Sequence, residues 1–180
     1  WKNPYQDVTD SSSYYEAVCY VTEKGLMNGT SASTFSPDAA MTRAMMVTIL
    51  WRMEKEPAAL KSNFTDLTAD WYRTAVDWAA ETGVVNGVGN GKFAPNATLS
   101  LEQLITILYR YAENKGYNVS KSASLDSFTD GSAVSAYARP AMQWAVGMNF
   151  LSGNTLTPGA PASRAQIAQV LMLFCKAYIK

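Results

Sequence analysis

Hydrophobic residues recur at helical spacing in several separate segments of this chain. Three segments carry apolar side chains three or four residues apart, as on one face of an α-helix. They are Met46, Ile49, Leu50 and Met53; Leu104, Ile107, Leu108 and Tyr111; and Ile167, Val170, Leu171 and Phe174. No comparable alternation of apolar and polar residues, the sign of a half-buried strand, occurs. The pattern therefore predicts an all-α protein.

Five short motifs occur three times in the same order. Each copy has an aromatic residue two positions before an aspartate, an apolar helical segment, a glycine turn, an apolar residue two positions before a proline, and a second helix. The aspartates and turn glycines are Asp7, Asp66 and Asp130, and Gly29, Gly87 and Gly153. One helix-loop-helix unit cannot bury both of its apolar faces alone. We therefore expect repeats at 1–53, 60–112 and 124–180 to pack into one compact module.

Capping residues mark the predicted helix starts. The second helices should begin after a hydroxyl N-cap, at Thr42, Ser100 and Ser163. For the first helices the predicted caps are Ser13, Asp70 and Ser135, with Pro140 in the first turn of the third. The three turn glycines are predicted to have positive φ, with close approach of a ligand to their backbone as a secondary role.

Composition narrows the function. The 180 residues carry no net charge, which argues against nucleic-acid binding, and no apolar run approaches the roughly 20 residues of a membrane span. No signal peptide is visible, so a mature piece of a longer protein is expected. Histidine is absent and no carboxylate pair stands out, so neither an enzyme, a metal nor a cofactor is predicted. Cys19 and Cys175 are interpreted as buried thiols, with a disulfide left open.

Two arginines occupy an unusual position. Arg43 and Arg164 directly follow the capping hydroxyl, where a cation opposes the helix dipole. This placement favours an incoming anion that meets the guanidinium and free helix N–H groups together. The alternative is an arginine that is solvated or paired with Asp7, Asp66 or Asp130. Because of the dipole, removing either arginine is expected to leave stability unchanged or slightly higher.

Several aromatic residues have flat faces that suit a sugar ring. Trp78 and Trp144 share the repeat position of Tyr20 and are predicted to lie in the core. Trp71 and Tyr137 fall in the first turn beside the predicted cap, and they are the better candidates for a groove.

Together, the ordered motifs resemble the S-layer homology repeat, over about residues 4 to 178. The resemblance implies a pseudo-threefold spindle with a central helical bundle and grooves between three prongs. It also implies extracellular, non-covalent anchoring of a larger surface protein to a bacterial secondary cell-wall polysaccharide, often through pyruvylated N-acetylmannosamine. The resemblance and the residue positions described above together give the expected ligand-binding residues: Arg43, Arg164, Thr42, Ser163, Ser100, Trp71, Tyr137, Gly29, Gly87 and Gly153.

The chain departs from the family pattern at two positions. In the family the second helix begins with T-R-A-E; here its arginine is replaced by Leu101 in the second repeat, and its glutamate by Met45, Gln103 and Gln166. Leu101 lies three residues before Leu104 and is predicted to extend the apolar stripe. One groove is therefore not expected to bind a carboxylate. A structural or protein-interaction module with partly degenerate grooves is the alternative function.

Overall fold

The computed structural model describes residues 1–179, and within them it contains helices but no β-strand, only isolated β-bridges. Two short 3-10 helices, Gly131–Ala133 and Ala136–Ala138, precede the fifth α-helix. The α-helices are α1 (Tyr15–Glu23), α2 (Arg43–Met53), α3 (Asp70–Thr82), α4 (Leu101–Asn114), α5 (Arg139–Gly147) and α6 (Arg164–Tyr178). The all-α prediction is confirmed. None of these helices is long and apolar enough to cross a membrane.

The first helix of each repeat packs on the second helix of the repeat before it. The extensive helix contacts are α3 with α2, α5 with α4, and α1 with α6. The last pair joins the beginning of the chain to its end, so the repeats form a closed ring. Each helix therefore buries its apolar face mainly against a neighbouring repeat, as expected for units that cannot form a core alone.

Three equivalent residues form a ring of backbone hydrogen bonds. The N–H of Met41 donates to Ala162, that of Ala162 to Leu99, and that of Leu99 to Met41, with N···O distances of 2.8, 2.9 and 2.9 Å. Each of these residues directly precedes an N-cap. The three second helices therefore start around one common point, related by approximate threefold symmetry.

The core is continuous across the repeats. Met46, Leu104 and Ile167, one from each second helix, are at most 1% exposed. The packing of the second helices as a central bundle stays a prediction. Trp78 and Trp144 are buried, at 6% and 1% exposure, as expected.

The predicted caps of the second helices are confirmed. The hydroxyls of Thr42, Ser100 and Ser163 each accept a hydrogen bond from the backbone N–H three residues later, at 3.1–3.3 Å. Gln103 also accepts from the Ser100 N–H at 2.9 Å, which completes a capping box.

The predicted caps of the first helices are wrong. The N-cap residues of α1 and α3 are Tyr14 and Ala69, and neither caps through its side chain. Ser135 precedes a 3-10 turn without a side-chain cap bond, and its hydroxyl donates to the Glu102 carboxylate at 2.6 Å. Pro140 does lie in the first turn of α5.

Both cysteines are free thiols. Cys175 is 3% exposed, and burial raises its pKa to about 11. Cys19 is only partly buried, so the prediction of two buried thiols holds for Cys175 alone.

Candidate functional site

An aspartate organises the proline loop of each repeat. The carboxylates of Asp7, Asp66 and Asp130 each accept two backbone N–H bonds from a loop 26 to 29 residues later. Burial raises the pKa of Asp66, but the bonds from Phe93 and Ala94 outweigh it and leave that pKa below its ordinary value. These residues organise the loops.

The aspartates hold a strained backbone conformation. Ser36, Ala94 and Thr157, which precede the loop prolines, have φ values of 56°, 57° and 47°. This left-handed region is unfavourable for residues with a Cβ. Each of the three donates its N–H to the aspartate of its own repeat, at 2.7–2.8 Å. The loop carbonyls are thereby fixed in place.

Arg164 joins the third repeat to the first. Its Nε donates to the carbonyl oxygen of Phe35 at 2.8 Å, and its Nη2 donates to that of Asn28 at 2.5 Å. The guanidinium carbon lies 4.6 Å from the centre of the Phe35 ring, within cation–π range. Arg164 is 6% exposed, so this contact is nearly closed to solvent.

Arg43 makes the same contacts one repeat further on. Its Nε and Nη2 donate to the carbonyl oxygens of Phe93 and Asn86, at 2.9 and 2.6 Å, and its guanidinium lies 4.7 Å from the Phe93 ring centre. Within residues 1–179 neither Arg43 nor Arg164 forms an ion pair with a carboxylate. The alternative of an aspartate-paired arginine is therefore wrong: loop carbonyls take that place.

The helix N–H groups that were expected to meet an anion are already bonded. Arg164 and Ala165 donate their backbone N–H to the carbonyls of Ala39 and Pro37, at 2.9 and 2.8 Å. The N–H groups of Arg43 and Ala44 bond the second repeat's loop in the same way. Any anion must therefore be held mainly by side chains.

A cavity of about 470 Å³, here called groove 1, is built from all three repeats. Leu26–Thr30 form one wall, the outer face of α2 forms another, Trp71 comes from the second repeat and Arg164 from the third. Trp71 is 52% exposed, which leaves a large aromatic face open. Among residues 1–179, no aspartate or glutamate lines this groove.

A second cavity of about 270 Å³, groove 2, repeats this plan. Residues 84–87 form the loop wall, α4 supplies the helical wall, Tyr137 takes the place of Trp71, and Arg43 takes that of Arg164. Tyr137 is 55% exposed, and the lining of groove 2 within the described part of the chain contains no carboxylate either. Each arginine thus serves the groove of the following repeat, not that of its own.

The remaining expected site residues do not line these grooves. Thr42, Ser100, Ser163 and Gly153 are absent from both linings. The three hydroxyls are engaged as helix caps, and Gly153 has a φ of 107°, as predicted for a turn glycine.

Gly29 and Gly87 do line the grooves, but the prediction of positive φ is wrong for both. A Cβ on Gly29 would lie 2.5 Å from the Tyr5 ring, and one on Gly87 would lie 2.6 Å from the Phe64 ring. These glycines are therefore needed because the motif aromatic packs directly against their backbone.

Sequence reasoning missed the second arginine of each groove, Arg52 in groove 1 and Arg110 in groove 2. They occupy equivalent positions toward the C-terminal ends of α2 and α4, nine residues after Arg43 and Leu101. An alignment of the three second helices would have identified them. Arginine occupies this position in the first two repeats, whereas the third repeat, which also lacks the other groove features, has Leu173 there.

The groove position of the third repeat lacks the features that grooves 1 and 2 share. Leu101, which stands where the arginine would, is 2% exposed, in line with the predicted apolar stripe. The carbonyl of Leu156, equivalent to the arginine acceptor Phe93, instead accepts the Thr157 hydroxyl at 2.8 Å. Ser13 stands in the position of Trp71 and Tyr137. The loss therefore affects the cation, its acceptor and the aromatic face together.

A closed ring of three helical repeats, with grooves formed where the repeats meet, defines a repeat-built binding module. The family model of the S-layer homology domain matches residues 4–45, 63–105 and 127–168, and the chain belongs to this family. Its members are surface-anchoring modules and not catalysts, so the chain is an extracellular module of the cell surface.

Three relatives illustrate the settings in which such modules occur. The chain is 31% identical over 93% of its length to an endoglucanase of Bacillus sp. (strain KSM-635). It is 30% identical over 86% to the surface-layer 125 kDa protein of Lysinibacillus sphaericus, and 26% identical over 63% to a cellulosome-anchoring protein of Acetivibrio thermocellus. It spans 18%, 13% and 27% of those proteins.

Proposed function

We propose that this module anchors a larger surface protein to the cell wall by binding a secondary cell-wall polysaccharide non-covalently, and that a pyruvylated N-acetylmannosamine is the recognised unit. The supporting observation is the paired composition of grooves 1 and 2. Each combines a guanidinium with an exposed aromatic ring and contains no carboxylate. This combination suits a sugar that bears one negative charge.

The arginines retain donors for such a ligand. Arg43 and Arg164 each use Nε and one Nη2 hydrogen on loop carbonyls, and no partner of either Nη1 lies within residues 1–179. A guanidinium has five N–H donors and binds carboxylates with strong, charge-assisted hydrogen bonds. The loop carbonyls therefore fix the orientation of the guanidinium before the ligand arrives, which lowers the entropy cost of binding.

The aromatic residues complete the sugar site. Trp71 and Tyr137 offer a rigid apolar face at the rim of each groove, with few rotatable bonds to order on binding. The pyruvyl carboxylate would meet the arginine while the ring packs on this face.

The module is proposed to have two working grooves, because the third lacks both its cation and its aromatic face. Two sites on one rigid module engage a repeating polymer together, which raises the apparent affinity above that of either site.

Calorimetry with purified wall glycan, before and after chemical removal of pyruvate, tests the proposal. The intact glycan is expected to bind, and a short pyruvylated fragment should occupy two sites per module. Arg43→Ala or Arg164→Ala should weaken its own groove by roughly 10- to 150-fold, as expected for loss of a charge-assisted hydrogen bond.

Unchanged binding after pyruvate removal would contradict carboxylate recognition. No binding of intact glycan would favour the alternative of a structural or protein-interaction module, which the degenerate third groove also supports. Circular dichroism of each variant verifies that the fold is kept.

A further inference from the structure

We infer that Arg52 in groove 1 and Arg110 in groove 2 determine specificity, because each supplies a second guanidinium to the carboxylate held by Arg164 or Arg43. The inference rests on the proposed function and extends it. The ligand anion is held between two arginines from different repeats, one at the start of its second helix and the other near the end of its own.

The loop of groove 1 brings the two guanidinium groups together. Arg52 Nη1 donates to the carbonyl oxygen of Leu26 at 3.2 Å, and Arg164 Nη2 donates to that of Asn28 at 2.5 Å. These carbonyls are two residues apart in one non-helical segment, so the chain separates them by at most about 7 Å. A carboxylate lying over this segment has both guanidinium groups as neighbours.

Each groove contains two positively charged side chains and, among the described residues that line it, no acidic side chain. Groove 1 is lined by Arg52 and Arg164, groove 2 by Arg43 and Arg110, and neither by an acid. This arrangement occurs in a chain whose formal net charge is zero. Like charges placed together in a cavity repel, and a bound anion relieves that repulsion.

Neighbouring carboxylates do not neutralise the second arginines. Glu56 lies 4.0 Å from Arg52 Nε and is itself exposed, and such a surface pair contributes little. Arg110 has neither an ion pair nor a hydrogen bond to any residue in 1–179. Its donors are therefore available to a ligand.

The three repeats provide an internal comparison. Arg164 and Arg43 are the arginines that begin a second helix, and each shares its groove with another arginine from the second helix that forms the groove wall. Arg52 accompanies Arg164, and Arg110 accompanies Arg43. At the groove of the third repeat both positions are leucine: Leu101, from the second repeat, and Leu173. The two cations are present together or absent together, as expected of groups that share one ligand.

The test is calorimetry on Arg110→Gln and on the double variant Arg52→Gln/Arg110→Gln, with a pyruvylated wall-glycan fragment and its pyruvate-free form. Arg110→Gln breaks no hydrogen bond or ion pair within the described residues, so it is expected to keep the fold. It is expected to weaken groove 2 for the pyruvylated fragment by roughly 10- to 150-fold. The double variant should weaken both grooves, and neither variant should change binding of the pyruvate-free form.

Lys121→Gln is the matched control, because it removes one positive charge from an exposed position outside both grooves. Its affinity should stay within about twofold, since an exposed charge outside the site acts only through screened long-range electrostatics.

Two results would overturn the inference while the proposed function stands. The first is unchanged affinity in Arg110→Gln when Arg43→Ala still weakens the same groove. The second is an equal loss of affinity for both forms of the glycan, which would mean that these arginines contact another part of the sugar. If the unmodified protein bound neither form, the proposed function and this inference would fail together.

Discussion

Arg164 binds Phe35 twice: its Nε donates to the carbonyl oxygen at 2.8 Å, and its guanidinium lies 4.6 Å from the centre of the ring. The two residues are 129 positions apart, in the last and first repeats. The side chain proposed to hold the ligand therefore also connects the last repeat to the first and closes the ring. The fold and the proposed binding depend on the same guanidinium.

Arg164→Ala is therefore expected to lower the free energy of unfolding by about 2–3 kcal/mol, because it leaves the carbonyls of Phe35 and Asn28 short of a partner. This reverses the expectation from the helix dipole alone. Arg164→Lys should recover only part of the loss, since one ammonium cannot span both carbonyls in fork geometry. Urea unfolding of both variants, with the less buried Arg43→Ala for comparison, measures the effect. An alanine variant as stable as the unmodified protein would show that the dipole argument was sufficient.

Gly87→Ala should destabilise the module by roughly 1–3 kcal/mol, because its Cβ would lie 2.6 Å from the Phe64 ring and 2.8 Å from the Lys92 carbonyl oxygen. Gly159→Ala is the control: no atom lies within 4 Å of the added Cβ, and its φ is not positive. Thermal unfolding should separate the two. Equal melting temperatures would mean that the aromatic ring moves aside easily.

Leu101→Arg tests whether the third groove can be rebuilt. The new guanidinium needs the Leu156 carbonyl, which now accepts the Thr157 hydroxyl. Leu101→Arg alone should destabilise the fold by several kcal/mol, since it buries an incompletely paired charge. In the double variant with Thr157→Ala, a favourable coupling of about 1 kcal/mol is expected, measured by a double-mutant cycle in urea. Strict additivity would show that the arginine does not reach that carbonyl.

The loop aspartates predict a loss of stability in acid. The pKa of Asp66 is lowered in the folded state from its ordinary value of 3.8, so its contribution is complete above that pH and is lost as pH falls through the lower folded value. Asp66→Asn should therefore be less stable at neutral pH, and the difference should shrink below about pH 4. Urea unfolding from pH 7 to pH 2.5 measures it. Asp10→Asn, at an exposed position, should match the unmodified protein throughout, and a constant deficit for Asp66→Asn would contradict the argument.

The local pattern of the sequence was sufficient to predict the second helix of each repeat. Apolar spacing located the second helices, and the hydroxyl caps at Thr42, Ser100 and Ser163 are formed as predicted, because both depend on residues within one turn. The first-helix caps were not formed as predicted, and one of the residues makes a distant contact instead: Ser135 bonds Glu102, 33 residues away. That contact joins two different repeats, so the spacing of residues along one helix does not predict it.

The candidate site was predicted only in part for the same reason. Arg43, Arg164, Trp71 and Tyr137 were identified, but each groove draws its residues from three repeats. Equivalent positions could be aligned from the sequence, whereas the assignment of Arg164 to the first repeat's loop required the closed ring. The missing guanidinium accordingly affects the third repeat's groove, although Leu101 belongs to the second repeat.

The pairing of α1 with α6 also bears on how the module comes apart. An open array of helical repeats frays from its ends, where the terminal units have one neighbour each. Here every repeat has two neighbours, and detaching any one of them disrupts two helix pairs and two grooves at once. Unfolding should therefore be all-or-none, and a glycan held in groove 1, which touches all three repeats, should resist the opening of the entire ring.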